Sequence, residues 1–394
     1  MRDTIDLNDL DRFIDGVPHE WLAWLRREAP LFWHDEPEGP GYWVVTRHAD
    51  VSAINKDWPR FTNTGGITPQ DQGTKQNLVM LEMDPPEQTR YRLLISAEFT
   101  PRAVGLLEPM VRAIAREYVS AFAEAGGGDW VTDVAAPIPI RVICELMGVP
   151  QEDGQKIFEW SNAVVPNADP EYWLSPEQAA EANRSLEEYA FELIARKRKE
   201  PGDDLASKLI ASKLDGEPLS DSLIGRFVRI LVVGGSETTR HLISHTLQNL
   251  HEHPHERERV ARGEVPSALT VEEVFRWNSP VIHHARHATQ DVELHGRKIR
   301  KGDRVTLWMA SANRDEEAFD RADHFDAGRD PNHHVALGAG GPHFCLGAHL
   351  ARLEGIALLD ELRPLLPRLE VTGPPDRLRS NFFNGIKHLP VRVH

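Results

Sequence analysis

A mainly α-helical fold with a small β portion is predicted for this chain of 394 residues. Apolar residues recur at three- and four-residue spacing over long segments, whereas alternating, strand-like stretches are few and short. No internal repeat, low-complexity tail or linker interrupts this pattern. We therefore expect one large domain over residues 1–394, long enough to bury a substantial core.

The helical segments each carry an apolar stripe of the kind that packs on a core. In chain order they are Pro18–Arg27, Pro101–Ala125, Gln178–Lys199, Leu219–Glu252, Thr270–Trp277 and Leu346–Leu362. The strand-like segments are Gly41–Val45, Val292–Leu294, Arg304–Leu307 and Leu389–Val393. Residues 62–80 are polar with two adjacent glycines and predict a long loop, either a lid that contacts substrate or a mobile surface segment.

The composition excludes several classes of protein. With 45 basic and 61 acidic residues the formal charge is −16, which argues against general nucleic-acid binding. The acidic N-terminus and the absence of a long apolar run indicate neither a signal peptide nor a membrane anchor. Two cysteines, Cys144 and Cys345, cannot build a disulfide framework, so a cytoplasmic protein is expected, with Cys144 as an inert core thiol.

A glycine-rich turn that holds Cys345 is the first candidate site. The stretch Leu337–Gly347 runs directly into a helical pattern. Unpaired N–H groups and the positive end of the helix dipole favour a thiolate there. The preceding glycines allow a flat ligand to approach the backbone closely. From these residues alone the thiolate is either a nucleophile or a metal ligand.

The long helix Leu219–Glu252 contains a second candidate. Two glycines, Gly234 and Gly235, cost about 1 kcal/mol each relative to alanine within a helix, which suggests a local purpose. Threonine hydroxyls can bond back to the preceding turn and open it. Glu237 beside Thr238 then provides an acid and a hydroxyl for proton delivery. The alternative is a helix kink with a solvated glutamate.

A carboxylate and a guanidinium three residues apart, Glu273 and Arg276, share one face of the helix Thr270–Trp277. Exposed pairs of this kind are common and worth only a few tenths of a kcal/mol. Further along the chain come Arg286, Arg329 and the cysteine turn. Each motif alone is a weak signal, and their order is what carries information.

In this order, the Gly-Gly-Ser-Glu-Thr-Thr helix, the Glu-x-x-Arg pair, the Arg329 segment and the cysteine turn resemble the cytochrome P-450 haem-thiolate monooxygenases of the soluble bacterial class. The resemblance covers essentially the whole chain. It implies a triangular, mainly helical haem-thiolate domain, with haem b as cofactor and O2 as co-substrate. A thiolate axial ligand donates electron density that favours O–O cleavage.

The resemblance also assigns roles to residues. Cys345 would ligate the iron, with Glu237 and Thr238 as a proton relay and Gly234 leaving space for oxygen. Glu273, Arg276 and Arg329 would lock the core behind the cysteine loop. The haem propionates would be met by Arg92, Arg286 and His343, where charge-assisted contacts are strong.

Three features depart from the common pattern of the family. Leu337 stands where a phenylalanine usually opens the cysteine turn, and the turn holds one extra residue between Gly340 and His343. Either change can tune the iron through access and hydrogen bonding at sulfur. Gln88 stands where many relatives have histidine, and its amide can donate to a propionate without charge.

The C-terminal stretch Arg377–His388 resembles the actinobacterial branch that hydroxylates sterols and methyl-branched isoprenoid lipids, as do Met83–Pro86 and Asp15–Trp21. This favours a sterol, terpenoid or branched lipid as substrate, with an aromatic or other secondary metabolite as the alternative. The implied pocket is mostly apolar, as such substrates require. Its candidates are Gly66, Ile67, Val233, Val281, Ile282 and Phe383.

The family further implies a monomer that receives electrons from NAD(P)H through a ferredoxin reductase and a ferredoxin. The ferredoxin would dock on a basic patch around Arg352 and Arg90, and salt should weaken the encounter.

Other readings of the same residues are possible. A thiol nucleophile with His343 or His349 as base lacks an orienting third group. A haem-binding sensor or carrier would not need both Glu237 and Thr238. Two groups of histidines could bind zinc or copper, but a solvated surface role is favoured for both. One group is His283, His284 and His287, and the other is His251, His253 and His255.

Overall fold

The computed structural model describes residues 4–37, 39–69, 79–164 and 169–394, apart from the side chains of 158 and 161–164. Its helices are α1 His19–Glu28, α2 His48–Lys56, α3 Glu87–Leu93, α4 Pro101–Glu124, α5 Pro137–Met147, α6 Gly154–Val164, α7 Pro176–Lys199, α8 Leu205–Ala211, α9 Asp221–Glu252, α10 Pro254–Ala261, α11 Ser267–Asn278, α12 Met309–Ala312 and α13 Ala348–Leu362. Short 3-10 helices occupy Leu10–Phe13, Ser96–Phe99, Gln151–Asp153 and Arg363–Arg368, and a π-helical turn spans Val131–Ala135.

The strands are short, as their sequences predict. They are β1 Leu31–His34, β2 Tyr42–Val45, β3 Phe61–Thr62, β4 Gly127–Asp129, β5 Lys213–Leu214, β6 Glu217–Pro218, β7 His283–Ala288, β8 Val292–Leu294, β9 Arg297–Ile299, β10 Arg304–Trp308, β11 Leu369–Val371, β12 Asp376–Arg377, β13 Ile386–His388 and β14 Pro390–Val393. The chain groups into two compact units. The first comprises Met1–Thr89, Glu252–Cys345 and Arg377–Gly385, and the second Arg90–His251, Leu346–Asp376 and Ile386–His394.

The first unit is built on a five-stranded sheet in the order β1-β2-β10-β7-β3. Strand β10 runs parallel to β2, and the other neighbours are antiparallel. Because side chains alternate between the faces of a strand, the sheet buries apolar residues on both sides. One face packs Trp43 and Val45 with α2, and the other packs Tyr42 and Val44 with α1.

In the second unit α4 packs along α13, and ion pairs join their edges. Arg112 bonds Asp360 at 3.0 Å and Arg116 bonds Glu361 at 2.9 Å. A three-stranded sheet in the order β11-β14-β4 lies in the same unit. The long helix α9 is almost completely buried from Thr239 to Leu250.

The predicted helices are confirmed with ends that shift by up to three residues, because capping rather than periodicity sets the ends. The helix after the cysteine turn begins at Ala348 rather than Leu346, with Gly347 as its N-cap. Helix α9 runs without interruption through Gly234 and Gly235. Of the predicted loop at 62–80, residues 70–78 lie outside the described part of the chain.

Several elements were not predicted from the sequence, among them α2, α5, α6 and the strand β7. No helix in the described residues has both the length and the apolar character needed to cross a membrane.

Candidate functional site

The cysteine turn is a series of tight backbone hydrogen bonds in the first unit. The Cys345 N–H donates to the Leu337 carbonyl at 2.8 Å, and the Phe344 N–H donates to the Gly341 carbonyl at 2.9 Å. Gly338 and Gly340 have positive φ angles of 84° and 77°, which a residue with a side chain would adopt only at a cost. The turn thus holds a partly exposed thiol in a defined position immediately before α13.

Two residues of the first unit hold this turn from outside it, one through its side chain and one through its backbone. The Gln88 amide donates to the Pro342 carbonyl at 2.9 Å and is 1% exposed. A Cβ at Gly341 would collide with the Asn55 carbonyl at the end of α2, so only glycine allows this close approach. The extra residue of the turn therefore lies where α2 and Gln88 both hold the loop, and the Gln88 amide nitrogen is committed to the loop backbone.

Glu273, Arg276 and Arg329 form one buried network in the first unit. The Arg276 guanidinium binds Glu273 through two contacts of 2.7 Å and donates to the carbonyls of Asn313, Ala322 and His324 at 2.8–2.9 Å. Arg329 adds a 3.2 Å bond to Glu273 and donates to three backbone carbonyls. Glu273 also accepts from the backbone N–H of Asp326 at 2.9 Å. The network fixes residues 313–329, which precede the cysteine turn.

Asn313 connects the same region to the start of the turn, a role that the sequence did not reveal. Its side-chain oxygen accepts from the Val335 N–H at 2.7 Å, and its amide donates to the Ser279 hydroxyl at 2.8 Å. Asn313 is fully buried. A buried asparagine is retained because its hydrogen bonds are satisfied, and here they join the end of α11 to the cysteine turn.

On strand β7 lies a buried cation without a carboxylate partner. Arg286 is 3% exposed, donates to the Asn55 side chain at 2.6 Å, and forms no ion pair with any described residue. Burial lowers the pKa of Arg286 to about 10. A buried guanidinium of this kind is costly unless an anion neutralises it. The structure therefore provides a place for a negatively charged group beside the strand.

His284 lies two residues before Arg286 and so on the same face of β7. Its Nδ1 atom is buried with no hydrogen-bond partner among the described residues. Burial, aided by the charges of Arg286 and His343, lowers the pKa of His284 to about 3, so the ring is neutral at physiological pH. The neutral His284 ring thus lies close enough to the Arg286 guanidinium and to His343 for their charges to affect it.

The pocket candidates of the first unit also come together around β7. The Ala285 N–H donates to the Ile67 carbonyl at 2.7 Å, directly after Gly66 with its φ of 106°. Val281 forms an isolated bridge with Phe383. Ile282 is 1% exposed and packs with Trp308 in the core, so it presents no open face. Val233, in turn, is a partly exposed residue of α9 in the second unit.

Helix α9 brings the acid and hydroxyl candidates together in the second unit. The Thr238 hydroxyl donates to the Gly234 carbonyl at 3.0 Å, and a Cβ at Gly234 would meet nothing within 4 Å. Arg240 donates to Oε2 of Glu237 at 2.6 Å, while Oε1 is buried with no hydrogen-bond partner in the described chain. Burial raises the pKa of Glu237, and Arg240 offsets part of that rise. The helix thus holds a carboxyl that retains its proton more readily than a surface glutamate.

Arg92, the remaining propionate candidate, lies partly buried near the end of α3 in the second unit.

The two histidine groups considered as metal sites do not form one among the described residues. Among the described residues, the group with metal-binding geometry is Glu171, Asp376 and His388. Lys387 already places its ammonium 2.9 Å from Glu171 and 3.5 Å from Asp376, so a cation is built into that cluster.

The family model for cytochrome P450 matches residues 267–362. A steroid C26-monooxygenase of Rhodococcus jostii is 38% identical over 99% of this chain and 85% of its own length. A methyl-branched lipid omega-hydroxylase of Mycobacterium tuberculosis is 39% identical over 98% of this chain and 94% of its own. A solved Mycobacterium marinum cytochrome P450 in complex with pseudoionone has a TM-score of 0.91 and 36% identity, covering 99% of this chain and 98% of that one.

Proposed function

The chain belongs to the cytochrome P450 family, and we propose that it hydroxylates sterols or methyl-branched lipids. The predicted fold and the predicted monooxygenase activity are confirmed by these matches. The enzyme uses haem b and O2, with electrons that originate from NAD(P)H. One oxygen atom enters a C–H bond of the substrate, and the other leaves as water after the uptake of two electrons and two protons.

The residues of the first unit suit an iron porphyrin that carries two carboxylates. The glycine turn presents the Cys345 thiol, and the buried Arg286 lacks the carboxylate that its charge requires. We therefore assign Cys345 as the iron ligand and Arg286 and His343 as propionate partners. Arg92 is proposed as a further propionate partner on the resemblance to the family alone. When bound, the haem supplies O2 activation, which a thiolate ligand assists by donating electron density.

Glu237 and Thr238 are assigned to proton delivery. The open Oε1 of Glu237 and its raised pKa suit a group that accepts a proton from solvent and passes it on. The Thr238 hydroxyl, bonded to the Gly234 carbonyl, lies beside the open space at Gly234 and can orient water there. Without such a pair, a haem protein binds its ligand but does not deliver protons to it, which is the sensor or carrier alternative.

The lipid substrate class is supported by the names of the two relatives and by the apolar side chains of the pocket candidates, chiefly Ile67, Val281 and Phe383. Apolar walls bind aliphatic or terpenoid skeletons through burial and leave position to a few polar groups. An aromatic or other secondary metabolite remains the alternative class.

A ferredoxin is proposed as the electron donor, docking on a basic patch that includes Arg90 and Arg352. Arg90 is exposed and pairs with Asp215 on the same surface. Because exposed charges steer such encounters, the rate of reduction should fall as salt rises. We also propose that the protein is a monomer in the cytoplasm. The two free cysteines in the described structure suit a reducing compartment.

The single observation that carries this proposal is the near full-length match to lipid and steroid monooxygenases. A panel of sterols, terpenoids and branched fatty acids tests it by the low-to-high spin shift that substrate causes at the haem. We expect at least one lipid to give a saturable shift and a hydroxylated product. A response confined to aromatic or peptide-derived compounds would contradict the lipid assignment.

A further inference from the structure

An N-terminal arm, residues 5–13, packs on the sheet of the first unit. Its three buried residues, Ile5, Leu7 and Phe13, belong to the apolar cluster on the α1 side of the sheet. The residues between them are partly or fully exposed. The regular structure within residues 5–13 is the 3-10 turn Leu10–Phe13, so the position of the arm depends on individual contacts.

Both backbone groups of Leu7 are bonded to buried side chains from distant parts of the chain. The Leu7 N–H donates to Nε2 of His34 on β1 at 2.8 Å, and the Leu7 carbonyl accepts from the Asn381 side-chain amide at 2.9 Å. Leu7 is fully buried, and His34 and Asn381 are each 5% exposed. Because water does not reach these positions, loss of either partner leaves a backbone group of Leu7 unsatisfied.

The loop 380–384, which contains Asn381, also carries the pocket candidate Phe383. The N–H groups of Phe382 and Phe383 both donate to the Ser380 hydroxyl at 3.1 Å, so the loop is a tight turn. Phe383 forms the bridge with Val281, a second pocket candidate. Asn381 lies two residues before Phe383 in this turn, so a contact that fixes Asn381 also fixes the position of Phe383.

The bond from Leu7 to His34 requires a neutral imidazole. A ring nitrogen that accepts a hydrogen bond carries no proton, so Nε2 holds the Leu7 N–H while the ring is uncharged. Burial lowers the pKa of His34 below its usual value, which keeps the ring neutral near pH 7. The nearby carboxylates of Asp6, Asp35 and Glu36 oppose this shift without reversing it.

The arm and the segment that leads into the loop 380–384 also meet at the surface. Asp11 of the arm pairs with Arg379, and a Cβ at Gly16 would lie 3.8 Å from Nε of Arg377. The Asp11 side chain is 70% exposed, so this ion pair contributes little. The two buried bonds of Leu7 are therefore the stronger link, and Asp11 provides a matched control on the same pair of segments.

We propose that Leu7, held between His34 and Asn381, positions the loop 380–384 and thereby sets the place of Phe383 in the substrate pocket. This inference rests on the proposed substrate pocket and adds two positioning residues, His34 and Asn381. Both act through the backbone of Leu7 and the turn that carries Phe383. The N-terminal arm thus contributes to the selection of substrates.

The experiment uses the haem-loaded enzyme with imidazole and 4-phenylimidazole, which both bind haem iron through nitrogen and differ by one apolar ring. The ratio of their Kd values, from spectral titration, reports on the pocket and cancels effects at the iron. The variants are His34→Leu, which lacks the acceptor, His34→Gln, whose side-chain oxygen can replace it, Asn381→Leu and the control Asp11→Asn. Deuterium exchange of peptides from the arm and from residues 380–384 shows which variants release them.

We expect the preference for 4-phenylimidazole to fall about fourfold in His34→Leu and in Asn381→Leu, the equivalent of one methylene group of apolar contact. Deuterium exchange should become faster in both the arm and the loop of these variants. His34→Gln and Asp11→Asn should match the wild type. The double variant of His34→Leu with Asn381→Leu should show no larger change than either single variant, because both substitutions release the same residue.

An unchanged ratio in Asn381→Leu and His34→Leu, with faster exchange in the arm, would overturn the positioning role. So would a His34→Gln variant that behaves like His34→Leu, since the histidine would then act by something other than accepting the Leu7 N–H. The expected ratios together with no spin shift from any lipid of the panel would support the positioning role and contradict the lipid assignment. Failure of both imidazoles to bind would contradict the haem site and the positioning role together.

Discussion

Two buried Glu-x-x-Arg pairs, one in each unit, differ in what they leave unsatisfied. In Glu273–Arg276 both carboxylate oxygens accept hydrogen bonds, and Arg329, the Asp326 N–H and the Asn332 amide donate to them as well. In Glu237–Arg240 the carboxylate accepts a bond from Arg240 through Oε2, whereas Oε1 has no partner among the described residues.

The spacing, the residue types and the burial are the same, so these cannot be what separates a structural pair from a reactive one. A fully satisfied carboxylate has no free site for a proton or water and contributes rigidity. An open oxygen in a buried carboxyl costs stability but leaves room for chemistry. A reactive buried pair therefore differs from a structural one in its unfilled hydrogen-bonding positions.

The largest effect is expected for Glu273→Gln, which removes the charge that holds two buried arginines. Breaking one side of a buried ion pair costs about 3–5 kcal/mol. We expect the unfolding free energy from urea denaturation of the haem-loaded protein to fall by that amount. Glu258→Gln, in the exposed pair with Arg262, is the control and should change it by less than about 0.5 kcal/mol. A small loss in Glu273→Gln would remove the structural half of the comparison.

Glu354 in α13 extends the comparison to a carboxyl without an ion-pair partner. Burial raises its pKa to about 8, and its Oε2 has no hydrogen-bond partner in the described residues. Between pH 4.5 and 8 the unfolded chain loses this proton while the folded protein keeps it. The contribution of Glu354 to the free energy of unfolding is therefore complete at low pH. It is lost as pH rises through this range, by about 1.4 kcal/mol per pH unit.

Glu354→Gln abolishes that titration. We expect the variant to exceed the wild type in unfolding free energy by on the order of 3 kcal/mol at pH 7, with the difference vanishing near pH 4.5. Urea denaturation at a series of pH values measures it. A difference that does not depend on pH would mean that Glu354 is ionised in the folded protein.

Glu237→Gln tests the reactive half of the comparison. The amide cannot carry a proton, so turnover with a saturating substrate should fall by about a hundredfold. Stability should fall less than in Glu273→Gln, because fewer donors depend on this carboxylate. The solvent deuterium isotope effect on turnover should rise as proton delivery becomes limiting. Unchanged turnover and isotope effect would make Glu237 a structural residue.

Thr238→Ala should give the smallest effect on stability and on substrate binding. Without its hydroxyl, water beside Gly234 is less ordered, so more of the electrons should end as hydrogen peroxide. We expect the product formed per NAD(P)H consumed to fall several-fold while the spin shift keeps its Kd. Thr239→Ala, on a buried neighbouring residue of the same helix, is the control. Equal coupling in Thr238→Ala and the wild type would show that the hydroxyl serves the helix alone.

Much of the helical frame follows from the sequence because apolar periodicity records which face is buried. The Glu273–Arg276 pair and the cysteine turn could also be identified from the sequence, because the residues of each motif are close together in the chain. Strand β7 was not predicted, because its histidines and arginine do not alternate with apolar residues. Its strand conformation comes from pairing with β10 across the sheet.

The site residues that could not be predicted from the sequence make contacts with residues far away in the chain. Asn55 and Asn313 are polar residues of ordinary appearance, and only the fold brings them to Arg286 and to Val335. The open oxygen of Glu237 is likewise a property of the three-dimensional surroundings and has no signature in the sequence.

Every role proposed for the site depends on Cys345 binding the haem iron as a thiolate. The reduced protein under carbon monoxide tests it most directly, with the wild type and Cys345→Ser prepared in parallel and Cys144→Ser as the matched control. We predict the strongly red-shifted Soret band of thiolate ligation in the wild type and in Cys144→Ser, and its loss in Cys345→Ser. A wild-type band at the position of histidine ligation, or a red-shifted band that persists in Cys345→Ser, would contradict the account.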